Sequence, residues 1–146
     1  MARVADILAD KGNQIHTIGE HASVHDAVAL MNQQKIGALV VVDDTERVAG
    51  IFTERDVLRR VVGSIRNPAD TRVGEVMSGD VVCATAQMPL EDVRALLMQR
   101  RIRHLPIVDD AGKLQGLISI GDVNAHFAND HQVQLEYLKE YIHGRV

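Results

Sequence analysis

Shifted by 66 residues, the chain falls on itself. Ile36–Asp44 (IGALVVVDD) aligns with Ile102–Asp110 (IRHLPIVDD), and Gly50–Val57 (GIFTERDV) aligns with Gly116–Val123 (GLISIGDV). From Ile15 to Val57 the shift is constant, and 12 of 43 positions are identical. Upstream, Val4–Leu8 (VADIL) matches Val73–Met77 (VGEVM) at a shift of 69, so the first copy carries three extra residues around Lys11–Gln14. A unit this long is no solenoid repeat; two copies predict a duplicated half-domain with a pseudo-twofold axis.

Composition narrows the rest. At 146 residues the chain suits one compact unit able to bury a core without a metal or disulfide staple. With 42 Val, Ile and Leu against four Phe and Tyr and no Trp, that core is aliphatic. A net charge of −4 argues against a general binder of nucleic acid or anionic membranes. The single cysteine, Cys83, excludes an internal disulfide framework and a Cys-rich zinc site. No apolar run approaches the roughly 20 residues of a membrane span. Met1–Asp10 carries Asp6 and Asp10 and lacks the apolar stretch of a signal peptide, so a cytoplasmic location is expected.

Each half reads as β-α-β-β-α. Short strands are predicted over Gln14–Ile18 and Asp80–Ala84. Helices follow, with Val24, Ala27, Val28 and Met31 on one face and Leu90, Val93 and Leu97 on its twin. Ser23 and Pro89 stand at N-cap or first-turn positions. Leu39–Val42 and Leu105–Val108 are buried strands, the turns at Asp43-Asp44-Thr45 and Asp109-Asp110-Ala111-Gly112 make hairpins, and second strands run over Arg47–Phe52 and Lys113–Ser119. Second helices begin near Arg55 and Gly121, and Arg66–Asp70 links the halves. The expected division is 1–65, 66–127 and a helical tail over 128–146, in which Leu135, Leu138 and Ile142 form an apolar stripe that needs a partner surface.

The paired motifs ending in TERD and SIGD make the chain resemble a tandem pair of CBS domains, a Bateman module, over about residues 1–127. The resemblance implies an α/β (α+β) fold of two pseudo-twofold-related halves, and a protein built of the CBS pair alone.

Thr53-x-x-Asp56 and Ser119-x-x-Asp122 each stand where a buried strand meets a helix, with unpaired backbone N–H groups and a favourable helix dipole. A hydroxyl there suits a phosphate, and a carboxylate accepts both hydroxyls of a ribose. The same spacing also makes a capping arrangement. The second pattern is Arg103-His104, two phosphate donors opening a strand, where the first half has Gly37-Ala38. The resemblance implies crosswise clefts with ribose on Asp56 and Asp122. One joins Val82, Arg103 and His104 to Thr53, Arg55 and Asp56. The other joins His16, Ile36, Gly37 and Ala38 to Ser119 and Asp122, without the Arg-His pair.

The seven histidines form no metal-binding spacing. Cys83 lacks an adjacent base and reads as a structural thiol. Arg59-Arg60 and Arg100-Arg101 read as solvated helix faces. The expected function is a regulatory module sensing an adenine nucleotide, AMP first, with ADP, ATP and NAD(H) as alternatives, with no required cofactor or catalytic residue and a homodimeric state. A scaffold with empty clefts is the second reading, and a small nucleotide-acting enzyme the third.

Overall fold

The computed structural model describes residues 1–12 and 15–142, with side chains through 129 and those of Leu135 and Leu138. Elements run α1 (Val4–Lys11), β1 (Thr17–Gly19), α2 (Val24–Gln34), β2 (Ala38–Val42), β3 (Val48–Thr53), α3 (Glu54–Asp56) with a π-helical continuation Val57–Val62, α4 (Val73–Val76), α5 (Leu90–Arg100), β4 (His104–Val108), β5 (Leu114–Ser119) and α6 (Ile120–Ile142). The fold is mixed α and β, with the two halves built alike.

The repeat extends to fine geometry. In each hairpin one aspartate closes the turn: Asp43 Oδ1 accepts from the backbone N–H of Thr45 and Arg47, and Asp109 Oδ1 from those of Ala111 and Lys113. Such local side-chain bonds are why aspartate starts both turns. Ladder registers slip at twin positions, between Val41 and Val42 and between Ile107 and Val108. Helices α2 and α5 both end on a left-handed residue, Lys35 and Arg101, each at φ 55°.

The first strand of each half differs. In the first half β1 pairs parallel with β2, Ile18 opposite Val41. Gln14, where that strand was expected to begin, lies outside the described residues. In the second half the expected strand Asp80–Ala84 shrinks to one bridge, Ala84 opposite Ile107. There Ala84 N–H donates to the Pro106 carbonyl at 3.0 Å and Val108 N–H to the Ala84 carbonyl at 2.9 Å. Extending the ladder to Val82 would need an N–H at position 106, and proline has none.

Two aliphatic cores form, and the leading helices change places between them. Val4 and Ile7 of α1 pack with Leu90, Leu97, Leu105 and Ile118 of the second half. Val73 and Val76 of α4 pack with Val24, Leu39, Phe52 and Val61 of the first. Backbone bridges fix both crossings at twin positions, Arg3 with Pro89 and Ser23 with Arg72. The division at 65/66 thus follows the sequence repeat, whereas the packing crosses it.

The tail, expected as a separate helix over His131–His143, is instead the C-terminal part of the unbroken α6, which begins directly after β5. Leu135 and Leu138 are 45% and 51% exposed. The Ile142 side chain and His143 lie outside the described residues. Among the described residues no helix is long and apolar enough to cross a membrane.

Candidate functional site

Both strand–helix junctions are closed by the same reciprocal bonds. At the first, Thr53 N–H donates to Asp56 Oδ2 at 3.0 Å and Asp56 N–H to Thr53 Oγ1 at 3.4 Å. At the second, Ser119 N–H donates to Asp122 Oδ2 at 2.9 Å and Asp122 N–H to the Ser119 hydroxyl at 3.1 Å. These are capping boxes, the alternative that the sequence left open.

The two aspartates otherwise differ. Asp56 is buried, with 6% of its surface exposed. Its Oδ1 accepts the Ser78 hydroxyl at 3.3 Å, and Arg60 Nε stands 3.8 Å away. Asp122 Oδ2 accepts the Lys11 ammonium at 2.7 Å. At Asp122 burial opposes the charged form, but the Lys11 bond and the Ser119 backbone N–H outweigh it and hold the carboxyl below its usual range.

Beside the first junction lies an open cleft of about 510 Å³, a size suited to small-molecule sites. It brings together Thr53 and Arg55 of the first half with Val82, Arg103 and His104 of the second, as the crosswise reading expects. Asp56 does not line it; it stands behind Thr53, which does. Three arginines, Arg55, Arg101 and Arg103, line it, together with the acidic Glu54 and Asp80. Burial, then the neighbouring Arg103 and Lys11 cations, pull the His104 pKa below its usual value, with Asp122 opposing. His104 is therefore neutral at pH 7, with one ring N–H to give.

The second group of expected residues is not gathered in this cleft. Gly37 lines the first cleft instead, its carbonyl accepting Glu54 N–H at 3.1 Å. Ala38 is buried as the ladder partner of Thr53, and His104 is the ladder partner of Ser119. His16 and Ile36 are half-buried.

Sequence reasoning passed over Ser78, Asp80, Arg101 and Lys11. Arg101, expected on a solvated helix face, is the left-handed residue ending α5, and that turn carries it to the cleft. Arg60, also read as solvated, donates to the carbonyls of Val76 and Met77 at 3.2 and 2.7 Å and so clamps the end of α4. Lys11 had one signal, its place where the two copies differ in length. Cys83 is half-buried, and burial pushes its thiol pKa up. Among the described residues no group of three His, Cys, Asp or Glu is placed to hold a metal ion.

A family model of the CBS domain matches twice, over residues 4–63 and 73–129. The mitochondrial CBS domain-containing protein CBSX3 of Arabidopsis thaliana is 40% identical over 126 residues, which span 84% of this chain and 61% of that protein's length. The structure of a CBS-domain protein from Burkholderia ambifaria MC40-6 superposes with a TM-score of 0.82 at 42% identity, covering 88% of this chain and 96% of the other. The CBS pair of protein MJ0100, solved with 5′-methylthioadenosine and S-adenosyl-L-methionine, shares the fold at 22% identity, with a TM-score of 0.79 over 89% of this chain and 98% of that one. Twin motifs, twin junctions and two family matches have one explanation: the chain belongs to the CBS-domain family, as a tandem pair.

Proposed function

We propose that this CBS pair is a regulatory module that binds an adenine nucleotide in the cleft between Thr53–Arg55 and Arg103–His104. The observation that carries the reading is the meeting, from the two halves, of three arginines and a histidine beside a hydroxyl–carboxylate pair at a helix start. The cations suit a phosphate tail. Asp56, set behind Thr53, is reached through Ser78, which lines the cleft and whose hydroxyl a ribose hydroxyl can replace on the carboxylate. AMP is the first candidate, and ADP, ATP and NAD(H) differ from it in the tail that the open side would hold. MJ0100 was solved with two adenosine-bearing ligands, which supports the adenosine class for this fold.

Because the cleft walls come from both halves, a ligand preferring one arrangement of the halves shifts the population toward it, by no more than its differential affinity. We read the module as regulatory rather than catalytic, and as homodimeric.

One observation favours the scaffold reading. Both Asp56 oxygens already accept hydrogen bonds from the protein, which a purely structural cap would also show. Thermal unfolding with nucleotides separates the two. A ligand bound only to the folded form at a hundredfold excess over Kd stabilises by about 2.7 kcal/mol. AMP, ATP or NAD should raise Tm while guanine and pyrimidine nucleotides leave it unchanged. A flat series at millimolar ligand would establish the scaffold.

A further inference from the structure

We propose that Lys11 makes the two Asp junctions unequal: its ammonium occupies Asp122 Oδ2, which a ribose diol would need, and the chain takes up one nucleotide, beside Asp56. This rests on the reading of the Asp junctions as ribose sites.

The twin halves provide the comparison. In the first, Ser78 makes two contacts: its N–H donates to the Ile51 carbonyl at 2.9 Å, and its hydroxyl to Asp56 Oδ1 at 3.3 Å. In the second, the twin of Ile51 is Leu117 and the twin of Asp56 is Asp122. One group serves both. Lys11 Nζ donates to the Leu117 carbonyl at 2.7 Å and to Asp122 Oδ2 at 2.7 Å.

The exchange a ligand must make therefore differs between the junctions. On Asp56 a ribose hydroxyl replaces a neutral hydroxyl held at the long end of hydrogen-bond range, like for like. On Asp122, Oδ2 takes both the Ser119 N–H and the Lys11 ammonium, so a ribose diol that uses both carboxylate oxygens must replace a short, charge-assisted bond and leave the Leu117 carbonyl without that donor. Less offsets that loss, because Gly37 and Ala38 stand where the open cleft has Arg103 and His104, and only Lys35 repeats a cation, at the place of Arg101.

The chain's own irregularity carries Lys11 there. Helix α1 has eight residues and α4 has four, and Lys11 is the last residue of the longer one. Four further residues extend a helix by about 6 Å. At the shift of 69, Lys11 takes the place of Asp80, which lines the open cleft, so the charge at that place is reversed.

Calorimetric titration of the full chain with AMP tests this. Wild type and Lys11→Arg should bind one AMP per chain, and Asp56→Asn in the wild type should weaken that site at least tenfold. Lys11→Met should bind two, and adding Asp122→Asn should remove the gained site. Lys11→Gln, which keeps a donor for the Leu117 carbonyl, serves if the Met variant fails to fold. Two sites in the wild type, or one in both Lys11→Met and Lys11→Gln, would overturn the role of Lys11 while leaving the nucleotide reading intact. A gained site that survives Asp122→Asn would overturn it as well. No binding to any form would sink both proposals; binding only after Lys11 is changed would sink the open cleft and keep the block.

Discussion

Gly50 lies against the backbone of Ser78 so closely that a Cβ built on the glycine would stand 2.7 Å from the Ser78 carbonyl oxygen, and equally near Met77 Sδ. Its twin, Gly116, meets Leu8, with a built Cβ 2.5 Å from Leu8 Cδ2. At these two places the exchanged leading segments press onto the neighbouring sheet, and a side chain would hold them off.

The two glycines should respond differently to alanine. Leu8 can swing a terminal methyl aside, whereas the Ser78 carbonyl is ladder-bonded to Ile51 and cannot. Gly50→Ala should cost about 2–3 kcal/mol and Gly116→Ala about 1 kcal/mol or less, within the range for overpacking. Urea unfolding of both variants checks the order; equal losses would mean that both contacts yield alike.

Asp56→Asn separates capping from ligand binding. Asparagine caps a helix about as well as aspartate, so the unliganded Tm should move by no more than a couple of degrees. A ribose diol loses one charge-assisted bond, so the Kd for AMP should rise about ten- to a hundredfold. Unchanged affinity by calorimetry would make Asp56 a cap alone.

Arg103→Ala should weaken AMP and leave adenosine unaffected, because the guanidinium acts on the phosphate. The wild-type preference for AMP over adenosine should shrink as salt rises. Equal losses for both ligands would assign Arg103 to the framework.

His104 links stability and binding to pH. Its folded pKa is depressed, first by burial and then by Arg103 and Lys11. The unfolded chain therefore binds the proton more readily, and stability declines as pH falls through about 6.5 toward the lower folded value. A phosphate beside the ring would raise that pKa, so AMP binding near pH 6 should take up protons and tighten with acidity. Because the AMP phosphate itself titrates at about pH 6, titrations in buffers of different ionisation enthalpy compare wild type with His104→Gln; the same net uptake in both would remove His104 from the phosphate site.

The apolar positions Leu58, Val62 and Ile65, spaced along one segment, are 67%, 63% and 94% exposed, and Leu135 and Leu138 add to the uncovered surface. Such surface favours a second copy. Sedimentation should give a dimer at tens of micromolar, and Leu58→Asp with Val62→Asp should give a monomer. A wild-type species of 16 kDa would refute the homodimer.

Hairpins and helix starts were legible because their causes are local. An aspartate that closes its own turn, or Ser23 accepting Asp26 N–H at 3.1 Å, needs no knowledge of the rest of the chain. Pro106 was equally visible, yet its effect falls on a strand more than twenty residues upstream, so Asp80–Ala84 read as extended. The exchange of α1 and α4 was not legible, since an apolar helix face such as Val4 and Ile7 does not say which core it enters. For the same reason Arg103 and His104 could be paired with Thr53 only through the family resemblance, and Lys11, lying 111 residues from Asp122, could not be paired at all.

The crossing of the leading helices bears on how such a chain can come apart. A single half expressed alone would carry a helix that belongs to another core and a core that lacks its own. Two copies could complete one another by trading helices, the usual geometry of a domain-swapped dimer. Joining the copies in one polypeptide makes that trade internal, at an effective concentration set by the connecting segment instead of by protein abundance. A protease cut within Arg66–Asp70 should therefore leave two fragments that remain clasped until the whole module unfolds.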